Sequence, residues 1–427
     1  MSVIGKNYGK PTLDLNFAGN KSLIDTTTGT NYVTFTRAQS GNEATYVGSD
    51  GLIKYASADE PRFDHDPVTG ESLGLLVEES RTNYLTNSSA LHTWQTTFGP
   101  IVTANATTAP DGTITATSLV PASGQPNQIF LPNFDNKRNL SVFAKADGYD
   151  HIILVAQTAP LTSAGVLFSL SGSGNVVATN YGATGSIQQL ANGWYRCTMT
   201  RSSTDTATMN TFIIRAADSS TPSGSYWAQS FVGDGTSGVY IWGAQHEEGS
   251  FPTSYIPTSG STVTRAADLA SIEGTNFSSW FNQSAGTFVG TVGSRGRLLL
   301  SSVSTGPNVY QDSTYSFSSN SEDYGGGFNL RYEDGSEVLL YYSIDGWTSS
   351  IPMQNYAGAY SAEGVAGAWE GNLGTPQTPL SKPLQDDLSH MWIGRTHSVS
   401  DSRVQHISRL SYYPKRLPDI ELQQLTK

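Results

Sequence analysis

The sequence predicts an all-β protein, on three observations. Charged residues are only 14% of the chain and aromatics reach 11%; disorder needs high charge and few aromatics, so the chain should fold. Gly (43 residues), Ser, Thr and Asn are plentiful and cluster between short apolar runs, as turns do between strands. The apolar runs alternate with period two, and no 3.6-residue period of useful length competes with them. At 427 residues the chain exceeds a single core, which stops growing at about 250–300 residues. Three parts are expected: an N-terminal β module or extended anchor at 1–86, one β-sandwich at 87–262 and a second at 263–427.

In chain order, Thr12 to Phe17 and Tyr32 to Thr36 alternate as half-buried strands around the turn-rich stretch Asp25 to Gly29. Asp50-Gly51 between Tyr46-Val47 and Leu52 to Tyr55 is a two-residue hairpin signal, because both turn positions tolerate positive φ. This first part is too polar to bury a large core of its own, so it is expected to pack on the next domain or on another chain. The stretch Glu60 to Leu85 (EPRFDHDPVTGESLGLLVEESRTNYL) follows. Within it Gly70-Glu71-Ser72-Leu73-Gly74 matches the G-x-S-x-G nucleophile elbow. The context fails that motif, since the preceding segment is polar and ends in Pro67, and Leu75-Leu76-Val77 reads as strand rather than helix. A β-turn at Asp66 to Gly70 feeding a strand is the reading taken. Asp64, Asp66 and Glu71 are oxygen donors of the kind calcium prefers, but no full loop motif accompanies them, and no metal or other cofactor is expected.

From Asn87 to Pro257 the strand candidates are Leu140 to Lys145, His151 to Ala156, Gly165 to Leu170, Gly193 to Met199, Thr211 to Arg215 and Gly238 to Gly243. Such spacing with polar turns argues for a sandwich of jelly-roll type. The run Val239 to Gly249, then Phe251 to Pro257, closes it; His246 stands where an apolar residue was expected, and an exposed edge would account for it. Val263-Thr-Arg-Ala-Ala-Asp268 echoes Phe35-Thr-Arg-Ala38 and marks a boundary. From Leu269 onward the pattern is again β, and Val404 to Leu425 reads as a last strand carrying Ile407, Leu410 and Tyr412. A short helix then starts near Pro418, with Ile420, Leu422 and Leu425 available for burial.

These stretches carry a resemblance. The segments DGLI and EPRFDHDPVTGESLGLLVEESRTN resemble a module of structural proteins of tailed bacteriophages, marine ones especially, where it precedes β-sandwich domains. The closing run GAQ.E.G…T.YIPT is similar to the final strand and exit of this module in phage and bacterial surface proteins. The middle part resembles carbohydrate-binding modules. The last 160 or so residues are similar to concanavalin-like, laminin-G-type sandwiches. The resemblance implies a virion appendage of tail-fibre or head-fibre type, made in a host cytoplasm and exposed on the particle. It would attach to other virion proteins through its N-terminal part and to host surface glycans through its sandwiches. By analogy with fibres it would be a homo-oligomer, with a trimer as the guess. A purely structural decoration or connector protein, and a surface polysaccharide depolymerase, are the alternatives.

Composition and motifs narrow the chemistry. The formal net charge of −12 disfavours nucleic acid. The N-terminus has no apolar h-region and no window reaches the roughly 18 apolar residues of a membrane span, so neither secretion by the general route nor membrane insertion is expected. Cys197, the only cysteine, sits in an alternating strand and reads as a buried structural thiol. No E-x-D-x-x-E strand motif occurs, and Glu322-Asp323 and Glu333-Asp334 are adjacent pairs whose members would point to opposite faces. No catalytic residue is therefore assigned and an enzyme is not expected. For sugar binding the aromatic side chains matter most. Of the eight tryptophans, Trp194, Trp242 and Trp392 lie in apolar strands and read as core. Trp94, Trp227, Trp347 and Trp369 lie beside turn residues and are the candidate ligand platforms.

Overall fold

The computed structural model describes residues 9–39, 41, 43–123, 128–132, 138–158, 162–202, 209–223, 227, 233–293, 297–301, 314–318, 327–331, 337–341, 353–376, 389–394 and 404–427. The chain is all-β, with two sandwiches and three short α-helices among the described residues. None of those helices is long and apolar enough to cross a membrane.

The middle part is a jelly roll. One sheet runs in the order Thr184–Gln189, Trp194–Thr200, Asn139–Asp147, Gly238–Glu247, Ala116–Val120, Ile101–Thr107. The facing sheet runs Asn175–Asn180, Thr162–Ser169, His151–Thr158, Met209–Ala217, Gln128–Pro132, Gln95–Thr97. Successive strands from Ala116–Val120 to His151–Thr158 alternate between the sheets, as do the last three, which is the winding that defines this fold. Alternation decides the core. Leu140, Val142, Cys197, Met199 and Ile241 from one sheet meet Ile152, Leu154, Val166, Phe168, Phe212 and Ile214 from the other. Each such buried side chain is worth about 1.5–3 kcal/mol. Cys197 is fully buried there, and burial pushes its thiol well above the usual range.

The outer face of the first sheet carries a second apolar cluster. Phe143, Trp194 and Trp242 alternate out of the core and are covered by Tyr255, Ala109 and Ile53. Ile53 belongs to the expected hairpin, Ala44–Val47 and Ile53–Ala56, which turns with Gly51 at φ +73°.

The second sandwich contradicts the expected division of the chain. Its first sheet runs Asn372–Leu373, Gly364–Trp369, Gln354–Ser361, Ala285–Val292, Val404–Tyr413, Ser72–Glu78, Arg62–His65, and Leu13–Leu15 also pairs with Val404–Tyr413. In its second sheet Thr34–Thr36 pairs with Leu269–Glu273, which pairs with His390–Ile393. Leu13, Leu15, Phe35, Leu75 and Val77 thus share one core with Phe288, Tyr360, Ile393, Leu410 and Tyr412. The described residues up to 86 are not a separate module; Leu13–Leu15, Thr34–Thr36, Arg62–His65 and Ser72–Glu78 complete the sandwich whose other strands come from the region after 263. The jelly roll is an insertion within that sandwich. The chain enters it through Arg81–Asn83 and leaves through Val263–Arg265, and these two strands pair with each other, Asn83 opposite Val263.

The end of the chain follows helical geometry. In Asp419–Leu425, Leu422 is buried and Leu425 half-buried on one face, over Leu417, Ala359 and Ala366, while Ile420 lies on the far side and is exposed. Ile407, Leu410 and Tyr412 are all buried, a bulge between Ile407 and Arg409 shifting the phase of alternation.

Candidate ligand clefts at a buried ionic junction

Where the two sandwiches meet, five charged side chains are fully buried: Arg37, Arg62, Arg265, Glu78 and Asp268. The Arg62 guanidinium donates to Glu78 Oε2, Thr45 O and Ser254 Oγ, each at 2.8 Å, and to Asp268 Oδ2. Arg265 donates to Glu78 Oε2 and to the Glu79 carbonyl. Arg37 donates to Asp268 Oδ1 at 2.9 Å and to the carbonyls of Ser57 and Glu60. Ser254 N and Glu78 N fill remaining acceptor sites on Glu78 and Asp268. Burial by itself would raise the Glu78 carboxyl; Arg265, Arg62 and the Ser254 hydroxyl outweigh it and hold the group far below the usual carboxylate range. The short echo in the sequence therefore has a structural meaning. Its two arginines, Arg37 and Arg265, approach the same acidic pair.

The closing run of the jelly roll is fastened to this junction. Gln245 Oε1 accepts from Ile256 N at 2.6 Å, Glu247 accepts from Thr253 N at 3.1 Å, and Tyr255 O accepts from Thr45 Oγ1 at 2.6 Å. His246 is not at an exposed edge. It is fully buried, its main chain bonded to Asn83 and Tyr84 and its ring set edge-on to Tyr84 with centroids 6.2 Å apart.

Two clefts open beside the junction. The larger, about 960 Å³, lies between Thr45–Val47 and Asp64–His65 on one side and Arg196, Thr198 and the Ser250–Tyr255 segment on the other, with His406 at its margin. His406 Nε2 meets Asp64 Oδ2 at 2.7 Å, and Asp64 Oδ1 accepts from Val47 N at 2.6 Å. The second cleft, about 840 Å³, shares Tyr46, Ile53 and His65 with the first and adds Tyr55, Phe63, Asp50, Lys54, Glu60 and Asp111. Tyr55 is 38% exposed, and its hydroxyl donates to Asp111 Oδ2 at 2.9 Å. Lys54 is paired with Asp50 at 2.6 Å.

The sequence-predicted site residues fall elsewhere. Trp94 is corrected from platform to core: it is 5% exposed and stands edge-on to Phe212 at 5.7 Å. Trp227 is likewise buried, on the outer face of the second jelly-roll sheet over Ile153, Val155 and Leu167; a Cβ on Gly165 would lie 2.1 Å from its ring. Trp369 is half-buried against the core of the second sandwich and lines neither cleft. Trp347 and the pairs Glu322-Asp323 and Glu333-Asp334 lie outside the described residues. Trp194 and Trp242 are buried, but Trp392 is only half-buried, since Met391 and Ile393 take the inward positions on either side of it.

The G-x-S-x-G string is a turn and a strand. Asp66 caps the turn, accepting from Val68 N and Thr69 N at 2.9 and 2.8 Å, and Gly70 N closes on Asp66 O. Ser72 begins the Ser72–Glu78 strand with its hydroxyl buried. Asp64 turns toward His406 while Asp66 serves its own turn, so the two do not converge on a cation. No group of three or more His, Cys, Asp or Glu placed to hold a metal occurs among the described residues. Sequence reading missed Tyr46, Tyr55, Phe63 and Arg196. The hairpin signal at Asp50-Gly51 was the available clue to the first three.

The fold and junction define a class: an all-β protein of two sandwiches, one inserted in the other. No protein-family model matches the sequence, and no curated protein matches it. Among solved structures, 34% of the chain is similar to 83% of the CBM40 domain of Ruminococcus gnavus IT-sialidase bound to α2,3-sialyllactose, at 18% identity and a TM-score of 0.28. Over 76% of its length it is similar to Trypanosoma rangeli sialidase in complex with 2,3-difluorosialic acid, at 12% identity and a TM-score of 0.26, covering 61% of that chain, less than two thirds of its length. Over 74% it is similar to domains LG4-5 of the mouse laminin α1 chain, at 11% identity and a TM-score of 0.21, covering 89% of that chain. Likenesses of this size assign neither ligand nor activity.

Proposed function

We propose that the chain is a non-enzymatic adhesion protein that holds surface glycans, working as an exterior appendage of a tailed-phage particle. The observation that carries the glycan reading is the hairpin cleft, where Tyr46, Tyr55 and Phe63 stand among Asp50, Lys54, Glu60 and Asp111. A sugar offers an apolar ring face and a rim of hydroxyls, and this lining offers aromatic rings with fixed carboxylates beside them. The virion setting rests on the sequence resemblance alone.

The carboxylates of both clefts are already engaged, which supports binding over hydrolysis. Glu78 is held by two arginines, Asp64 by His406, Asp111 by Tyr55, Asp50 by Lys54, and Glu60 accepts from Ser57 N. A glycosidase needs two carboxyl groups free to face each other across the scissile bond. Weak single contacts suffice for an appendage, because several copies convert them into avidity.

The test is co-sedimentation with intact host cells before and after periodate oxidation of their surface sugars, alongside Tyr55→Ala. Saturable binding, lost on oxidation and weakened in the variant at unchanged melting temperature, is the expected result. A folded sample that binds neither cells nor isolated surface polysaccharide would replace this reading by a purely structural role.

A further inference from the structure

The larger cleft has a property that neutral-sugar binding does not use. Arg196 projects from the Trp194–Thr200 strand on the face opposite Tyr195 and Cys197, its guanidinium 5.4 Å over the Phe143 ring. It donates to Thr253 O at 2.7 Å and to Ser141 Oγ at 3.1 Å, both neutral acceptors. Among the described residues it forms no ion pair, although it is half-buried and lines the cleft. Burial lowers its pKa, with the carboxylates of Glu247 and Glu78 opposing from a distance.

Those carboxylates are committed. Glu247 accepts from Thr253 N, and Glu78 is shared by Arg62 and Arg265. Of the charged side chains lining the cleft, Glu78 is bonded to arginines and Asp64 to His406, whereas Arg196 bonds only neutral acceptors. This occurs in a chain of net charge −12, whose overall field repels anions. An anion held here needs a dedicated cation at short range.

We propose that the larger cleft takes a carboxylate-bearing sugar, such as a uronic or nonulosonic acid residue, with Arg196 as its anchor; this rests on the glycan-binding reading above. The space of about 960 Å³ suits one or two sugar residues rather than a bare ion. Around the guanidinium stand groups that meet sugar hydroxyls: Ser186 and Gln188, exposed along the Thr184–Gln189 strand, and Thr198 on the neighbouring strand. A carboxylate on Arg196 would add an ionised acceptor to a guanidinium that now meets only neutral ones, about tenfold or more in affinity.

The experiment is titration of the full chain with matched oligosaccharides ending in glucuronic acid, its methyl ester or glucose, with sialyllactose and inorganic phosphate as further probes. Expected is binding of an acidic sugar at least about tenfold tighter than its ester or neutral partner, lost in Arg196→Gln, with neutral-sugar binding sensitive to Tyr55→Ala left unchanged. The two acidic sugars separate the two sources of the carboxylate. The ester comparison uses the unaltered protein, so it decides the matter even where Arg196→Gln does not fold; Arg196→Lys, which keeps the charge, serves as the partial rescue. Equal binding of acid, ester and neutral sugar would overturn the inference and leave the glycan reading standing. Phosphate competing as well as the acidic sugar would also overturn it, as a site for any anion. Binding of no sugar by a folded sample would overturn both.

Discussion

Replacing Glu78 by glutamine keeps the shape of the side chain and removes its charge. In the junction Glu78 accepts from Arg62, Arg265, Ser254 N and Ser254 Oγ. Glutamine offers one acceptor oxygen and turns an NH₂ toward guanidinium groups that are themselves donors only. The loss leaves Arg62 buried with Asp268, which Arg37 shares, and takes from Arg265 the carboxylate it is bonded to. Breaking a buried pair by neutralising one partner costs about 3–5 kcal/mol. At roughly 2–4 °C per kcal/mol for a unit of this size, the melting temperature of the outer sandwich should fall by about 6–20 °C. Differential scanning calorimetry measures this. The pH dependence gives a second readout. The folded Glu78 carboxyl lies below its ordinary value of 4.5, so the stability it contributes is present above that pH and is lost as pH falls below it. The acid limb of the stability profile should therefore be shallower in Glu78→Gln than in the unaltered protein. A variant within about 1 kcal/mol of the parent, with the same acid slope, would refute the account of the junction as a charge network the fold depends on.

Three further outcomes are expected. Trp94→Ala and Trp227→Ala should each lose about 3–5 kcal/mol of stability, as large buried aromatics do, while sugar binding by the folded fraction is unchanged; intact stability with lost binding would restore them as platforms. Gly74→Ala should destabilise by about 1–3 kcal/mol or more, because Gly74 holds φ +89° and a Cβ there would sit 2.1 Å from Ile407 O; a thermal melt like that of the parent would count against this crossing of strands. A fragment of residues 263–427 should lack near-ultraviolet circular dichroism, since it misses the strands Leu13–Leu15, Thr34–Thr36, Arg62–His65 and Ser72–Glu78. Joining residues 1–83 to 263–427 through a short linker should restore it, because Asn83 and Val263 are already paired.

Local features were legible in the sequence. The Asp50-Gly51 hairpin, the Asp66–Gly70 turn and the alternation of Leu140, Val142 and Ala144 each express a preference of a few adjacent residues. The hairpin forms where it was read, but Gly48 N donates to Leu52 O around a wider loop than two residues, with Gly51 and not Asp50 at positive φ. The site was read less well. Tryptophans beside turn residues were expected at the surface, yet Trp94 and Trp227 plug apolar faces, because a loop next to a sheet brings its large side chains over whatever that sheet leaves uncovered. The aromatic groups that do line a cleft, Tyr46, Tyr55 and Phe63, sit in short polar strands where nothing in composition separates them from ordinary core residues.

The sequence by itself determined that this protein is all-β, where many of its strands turn, and that its first eighty or so residues cannot hold a core alone. Period-two alternation tells which face of a strand is buried, but the backbone ladder that joins strands is the same for every residue type. It therefore could not say that Leu13 pairs with Tyr412, or that Thr34 pairs with Ser271. Nor could it tell the arginines of the junction from solvated ones, since a charge reads alike whether water or a carboxylate surrounds it. Only the tertiary structure brought Arg37, Arg62 and Arg265 onto Glu78 and Asp268, and left Arg196 beside them facing open space.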